Sequence, residues 1–257
     1  MTDIDLTITD GVATITLNRP AVRNAVTLAM WRETARMFTA LGTDRSVRAI
    51  VLTGAGGNFS VGADVSEFAA VRGSSEAAVE YEVAVDSAAD AIAGVSQPVI
   101  AALEGYCLGG GCHLALAADF RFASHNAAIG IPSAKLSIVY GVRSTQRLLA
   151  LVGIASAKHL LYSAERIDGT AAHDIGFVQT IADPVLPAAQ AYARSFASLA
   201  PLSIGGAKSI LTGLTMGDGA LDPTYAQSLI DNAADSHDYE EGRRAFAEKR
   251  APRFRGE

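Results

Sequence analysis

Cysteine is nearly absent from this chain, with two residues in 257. A disulfide framework is therefore excluded, since a fold of this length stapled by bridges needs more of them. Charge is sparse at 19%, and it is acidic, with 27 Asp and Glu against 21 Lys and Arg for a net charge of -6. Such a surface offers little to a phosphate backbone, which argues against nucleic acid as a partner. Long apolar runs are missing too, and none approaches the roughly 18 to 20 residues that a membrane span requires. The opening MTDIDLTITD carries acids where a signal peptide would carry Lys or Arg. These absences predict a cytoplasmic protein with no membrane partner. What is abundant is hydrophobic residues, at 49%. That suffices for a large core, in one domain or a main domain with a smaller appendage.

The two cysteines sit close together, as Cys107-x4-Cys112-His113. The spacing fits no usual zinc pattern and no second ligand cluster follows, so they read as small buried thiols and no metal is expected.

Along the first half, β-rich runs at 4–9, 12–18, 47–54, 98–103 and 119–124 alternate with helical segments. Asp10-Gly11 marks a hairpin turn between the first two runs. Thr27 caps a helix running to Leu41, with Gly42 just past its end, and another spans Ser75 to Ala93. After Ala128 the pattern predicts helices alone, at 143–152, 155–162, 170–175, 185–199, 203–213, 220–234 and 238–249. Interleaved strands and helices followed by helices imply an α/β core with a helical appendage.

Two glycine-rich stretches follow strands in this core. One is LTGAGGNFSVGADVSEF (52–68) and the other GYCLGGGCHLALAADF (105–120), where a helix starts near Gly110. The first N–H groups of a helix have no carbonyl behind them, and small residues let a ligand approach. Two such places converging on one acceptor oxygen would form an oxyanion hole; taken singly, each stretch also reads as an ordinary tight turn. Neither is a P-loop, because no Gly-Lys-Ser/Thr follows, and the second lacks the G-x-G-x-x-G spacing of a dinucleotide site.

RPAVRNAV (19–26), FSVGADVSEF (59–68), GYCLGGGCHLALAADF (105–120), STQRLLALVG (144–153) and FAEKRAPRFRG (246–256) occur in that order. The set resembles the enoyl-CoA hydratase/isomerase, or crotonase, superfamily over nearly the whole chain. The resemblance implies an α/β fold, a spiral of β-β-α turns, with residues 1–200 forming the acyl-CoA-binding core. Residues 201–257 would be a C-terminal helical trimerisation region, giving a homotrimer or a hexamer built as a dimer of trimers. It implies an acyl-CoA thioester as substrate, with coenzyme A part of that substrate and no separate cofactor. By position, the N–H groups of Ala63 and Gly110 would form the oxyanion hole. Arg23, Ala25 and the backbone near Val61 and Asp64 would lie along the CoA moiety. Lys249, Arg250 and Arg255 would either meet CoA phosphates, including those of an adjacent subunit, or form a solvated basic tail.

The sequence also departs from the pattern. Hydratases of this family use two glutamates, and the matching positions here are His113 and Ser133. Serine lacks useful basicity without a partner base. Histidine suits general acid–base work, though a place in the first turn of a helix disfavours imidazolium. His113 is thus either a base or a hydrogen-bonded pocket residue. Tyr140 falls where some relatives, including decarboxylases of malonyl-type CoA esters, carry a tyrosine facing the acyl group; otherwise it is a packed aromatic. Lys135 and Arg143 flank the same stretch, as partners for an acidic acyl group or as surface charges. Three readings remain open: a hydratase/isomerase-type enzyme stabilising a thioester enolate, a decarboxylase using Tyr140, and a CoA-ester-binding protein with little catalysis.

Overall fold

The computed structural model describes residues 2–217 and 219–257. Strands β1 (Ile4–Thr9) and β2 (Val12–Leu17) pair antiparallel. Asp10 and Gly11 both take positive φ, 51° and 74°, as a two-residue turn matched to the strand twist requires. Helix α1 (Leu28–Thr43) starts where the Thr27 side chain accepts the Met30 N–H, and β3 (Ala49–Gly54) follows. The short α2 (Phe68–Val71) and long α3 (Ser75–Gly94) lead to β4 (Val99–Leu103). The second glycine stretch then builds β5 (Tyr106–Leu108), α4 (Gly110–Ala117) and β6 (Phe120–Ala123).

Beyond Ala128 the chain corrects the expectation of helices alone. Strand β7 (Ala128–Gly130) precedes α5 (Val142–Ser163), and β8 (Arg166–Ile167) precedes α6 (Gly169–Asp174). Strand β9 (Thr180–Ile181) leads to α7 (Val185–Ser195). Two or three residues are too few to leave an alternating pattern, which is why these strands escape a sequence reading. The helices expected at 143–152 and 155–162 are both present along α5, and they are divided at Gly153, whose φ 71°, ψ 170° are not helical. Helices α8 (Pro201–Thr215), α9 (Pro223–Ala234) and α10 (His237–Glu248) complete the chain.

The main sheet has the order β1-β2-β3-β4-β6-β9, parallel except for the first pair. A smaller sheet, β5-β7-β8, stands beside it. The central strands are buried on both faces, so their side chains divide between two cores. Ile15, Ile50 and Leu52 pack into a core that also holds Trp31, Phe38 and Ile92 of α1 and α3. Val12, Val51 and Ile100 pack with Val185, Ala189 and Ala193 of α7 on the other face.

Helix α8 is tied to the sheet by a buried ion pair. Lys208 Nζ lies 2.8 Å from Asp119 Oδ2 and 3.0 Å from the Gln97 carbonyl, and Asp119 Oδ2 also accepts the Val99 N–H at 2.7 Å. Because β3, β4 and β6 run parallel, their carboxyl ends open on one side of the sheet. The loops that leave those ends make the site.

Candidate active site

Three loops are laced together there. The first, after β2, contains Arg23 and Asn24 in left-handed backbone, φ 51° and 56°. Asn24 is buried, and its Nδ2 donates to the carbonyls of Ala55 (2.9 Å) and Asn58 (2.6 Å) in the second loop. Ser60 Oγ returns a bond to the Asn24 carbonyl at 2.7 Å. Single β-bridges join Val26 to Ala63 and Ser60 to Cys107, linking the second loop to the first and third.

The bridge at Ala63 settles where its N–H goes. In a parallel bridge one residue bonds to the partners on either side of its opposite number. Here Val26 N–H donates to the Gly62 carbonyl at 2.8 Å and Asp64 N–H to the Val26 carbonyl at 2.9 Å. The Ala63 N–H is left facing away from the bridge. Gly110 opens α4, so its N–H has no carbonyl behind it. The two groups are neighbours: a Cβ placed on Gly110 would lie 3.0 Å from the Ala63 nitrogen and 3.1 Å from the Trp31 ring. A side chain there would push on both neighbours, and glycine lets the loops approach this closely without displacing them.

The side chains expected to work here are placed less simply. His113 is only 4% exposed. Its Nε2 meets the Val85 carbonyl at 3.0 Å, its Nδ1 meets Ser144 Oγ, and its ring edge packs against Trp31. A carbonyl can only accept, so the proton sits on Nε2 and Nδ1 receives the Ser144 hydroxyl. Burial lowers the His113 pKa to about 4, keeping it neutral. Both nitrogens are engaged inside the protein. Ser133 is half-buried in the 3₁₀ turn Pro132–Leu136. Tyr140 is half-buried with its hydroxyl donating to the Gly109 carbonyl at 3.3 Å, and burial pushes its pKa well above 10.

Among the CoA candidates, Arg23 is exposed with its guanidinium 5.1 Å from the Tyr106 ring, and its carbonyl accepts the Val61 N–H at 3.1 Å. Ala25 is buried, its carbonyl bonded to Arg19 at 2.7 Å. Asp64 turns its carboxylate to Arg19 (2.8 Å) and Ser66 (2.6 Å), which hold its pKa below the usual range. These residues cluster around Ala63.

The basic tail does not join them within one chain. Arg250 pairs with Glu241 and Glu248, each at 2.6 Å. Arg255 borders a cavity of about 620 Å³ shared with Arg48, Val95 and Gly205, and Lys249 is exposed beyond α10. Val95 and Arg48 precede β4 and β3, so this cavity lies at the opposite ends of the strands from Ala63.

Arg143 and Arg147 both pair with Asp90 on α3, the second at 2.9 Å. Lys135 is exposed. Cys107 and Cys112 are buried free thiols with sulfurs 3.8 Å apart. Sequence reasoning missed Asn24, Ser144 and Val85. The first stood in a recognised motif as an asparagine beside a turn; the others gave no signal, because their roles depend on how α3 and α5 pack against α4.

Glycine-lined loops meeting at the carboxyl ends of an α/β core, with Ala63 and Gly110 side by side, are the arrangement of a crotonase-type protein. A model of the family described as enoyl-CoA hydratase/isomerase matches residues 7–257. The chain belongs to that family. It is 34% identical to the "Probable enoyl-CoA hydratase" of Bacillus subtilis over 262 residues, covering all of both chains. It is also 34% identical to the 2,3-dehydroadipyl-CoA hydratase of Escherichia coli over 249 residues, 95% of each chain. The solved enoyl-CoA hydratase of Bacillus anthracis superposes with a TM-score of 0.88 at 32% identity, with all of both chains covered.

Proposed function

We propose that this protein binds an acyl-CoA thioester and stabilises its enolate between the N–H groups of Ala63 and Gly110. It is read as an enzyme of the enoyl-CoA hydratase/isomerase type in fatty-acid or related acyl-CoA metabolism. The observation that supports this is the close approach of Ala63 and Gly110, whose N–H groups are left over by a β-bridge and by a helix start. Making an enolate is the hard step for a thioester, and one such donor contributes roughly 3 to 4 kcal/mol to lowering the barrier. Arg23, Ala25 and the backbone near Val61 and Asp64 line the CoA moiety. Coenzyme A arrives as part of the substrate, and no further cofactor takes part.

A second reading draws on the side chains. The positions where family hydratases carry glutamates hold Ser133 and a neutral, inward-facing His113. Loss of CO2 from a malonyl-type CoA ester generates the enolate with no base, which suits such a site. The relative named for 2,3-dehydroadipyl-CoA is consistent with acidic acyl groups in this family.

The test is calorimetric titration with crotonyl-CoA, followed by assays of its hydration and of CO2 release from malonyl-CoA and methylmalonyl-CoA. Binding is expected in wild type. In Gly110→Ala, whose methyl meets Trp31 and the Ala63 nitrogen, turnover is expected to fall by at least about 10²-fold. A protein that binds no CoA ester refutes both readings, and turnover without CO2 release refutes the second.

A further inference from the structure

The Gly109–Gly110 peptide has two faces. It is trans, since among the described residues the one cis bond is Asp183–Pro184. Its carbonyl therefore points away from its N–H. The Gly110 N–H opens α4 close to Ala63, and the Gly109 carbonyl accepts two bonds, from His113 N–H at 3.0 Å and from the Tyr140 hydroxyl at 3.3 Å. Both lone pairs are used.

This peptide needs holding. Gly109 has φ 51° and ψ -109°, a combination open to glycine and hostile to other residues. A half-turn of the peptide plane would carry the Gly109 ψ to roughly +70°, near the ordinary left-handed region, while turning the Gly110 φ out of the helical range, which glycine tolerates, and giving up the His113 N–H bond. Glycine on both sides of the bond makes that rotation sterically cheap. The flipped peptide would aim a carbonyl where the hole needs a donor.

We propose that the Tyr140 hydroxyl latches the Gly109–Gly110 peptide in its donating orientation, making Tyr140 a positioning residue for the oxyanion hole. This rests on reading Ala63 and Gly110 as the thioester site. The bond also polarises the peptide, since a carbonyl drawn upon by donors leaves its own N–H a better one. Behind Tyr140, Ser144 is committed. Its hydroxyl proton goes to His113 Nδ1, because His113 Nε2–H is already given to Val85.

The experiment uses butyryl-CoA carrying a 13C label at the thioester carbonyl, bound to the full chain and read by difference infrared spectroscopy. Saturation of the acyl chain keeps the probe from being hydrated. In wild type the carbonyl stretch is expected to move to lower frequency than in water. Tyr140→Phe is expected to lose most of that shift and to bind the ester no more than about tenfold more weakly. Gly109→Ala supplies an independent route. Its methyl would have space, with Pro132 Cδ 3.8 Å away, but the backbone angles favour the flipped peptide. It too is expected to lose the shift, with Tyr140 still present. Melting curves confirm that both variants fold. A full shift retained in Tyr140→Phe overturns the latch alone. Wild type that binds no ester, or binds it with an unshifted carbonyl, overturns the site reading and the latch with it.

Discussion

His113 shows how far a residue's position can mislead about its work. Its place after the glycine run made it a candidate base, yet its ring is turned into the protein and bonded at both nitrogens. Its pKa of about 4 lies below the ordinary 6.5, chiefly because of burial. The unfolded chain therefore binds a proton that the folded chain refuses between those two values, and stability must fall as pH drops through that window. The shift corresponds to about 3 kcal/mol. His113→Gln, which has no titrating group, should lose about 3 kcal/mol less than wild type between pH 7 and pH 4. Urea unfolding at the two pH values measures this, and equal losses would mean that His113 is charged or exposed in solution. The residue type and the helix start were readable from the chain itself. Val85 and Ser144 were not, since they arrive from elements 28 positions before and 31 after.

At the scale of elements, long runs were legible and short ones were not. The Asp10-Gly11 hairpin and the Thr27 cap follow from local chemistry, and both were readable. Strands β8 and β9 have two residues each, and they exist because neighbouring strands leave an edge to fill. Gly153 reads as a break between two helices, and its φ 71°, ψ 170° place a non-helical residue there. The docking of α8 belongs to the same class of tertiary facts. Lys208 is 7% exposed in its side chain and Asp119 is 24% exposed. Removing one partner strands the other, which typically costs about 3 to 5 kcal/mol when buried and less where water reaches it. Lys208→Met should therefore destabilise the chain by about 3 kcal/mol. Adding Asp119→Asn should cost less than the sum of the two single changes. Denaturant midpoints read both, and strict additivity would show that the pair contributes nothing as a pair.

For the whole molecule, the question is what covers its apolar surface. Leu211 and Leu214 of α8, Ile230 of α9 and Phe246 of α10 are 63%, 64%, 54% and 88% exposed, and Val139 beside the site is 95% exposed. Scattered leucines on a surface mean little, but several large apolar groups concentrated on three successive helices usually mark an interface. The basic tail raises the same question from another direction. Lys249 and Arg255 lie away from the Ala63 site of their own chain, so contact with CoA phosphates would require a neighbouring copy. A homotrimer or a dimer of trimers is the proposed assembly. Light scattering should then give three or six times the 26.6 kDa chain mass. Introducing Leu211→Glu with Leu214→Glu should shift the population toward single chains, because burying carboxylates between helices without partners is unfavourable. If the tails act across the interface, the same double variant should also bind crotonyl-CoA more weakly, and the wild-type affinity should fall with added salt. A monomeric wild type would refute the assembly and return Lys249 and Arg255 to the role of a solvated tail. A trimer whose double variant dissociates yet binds the ester as tightly as before would keep the assembly and remove the tails from the site.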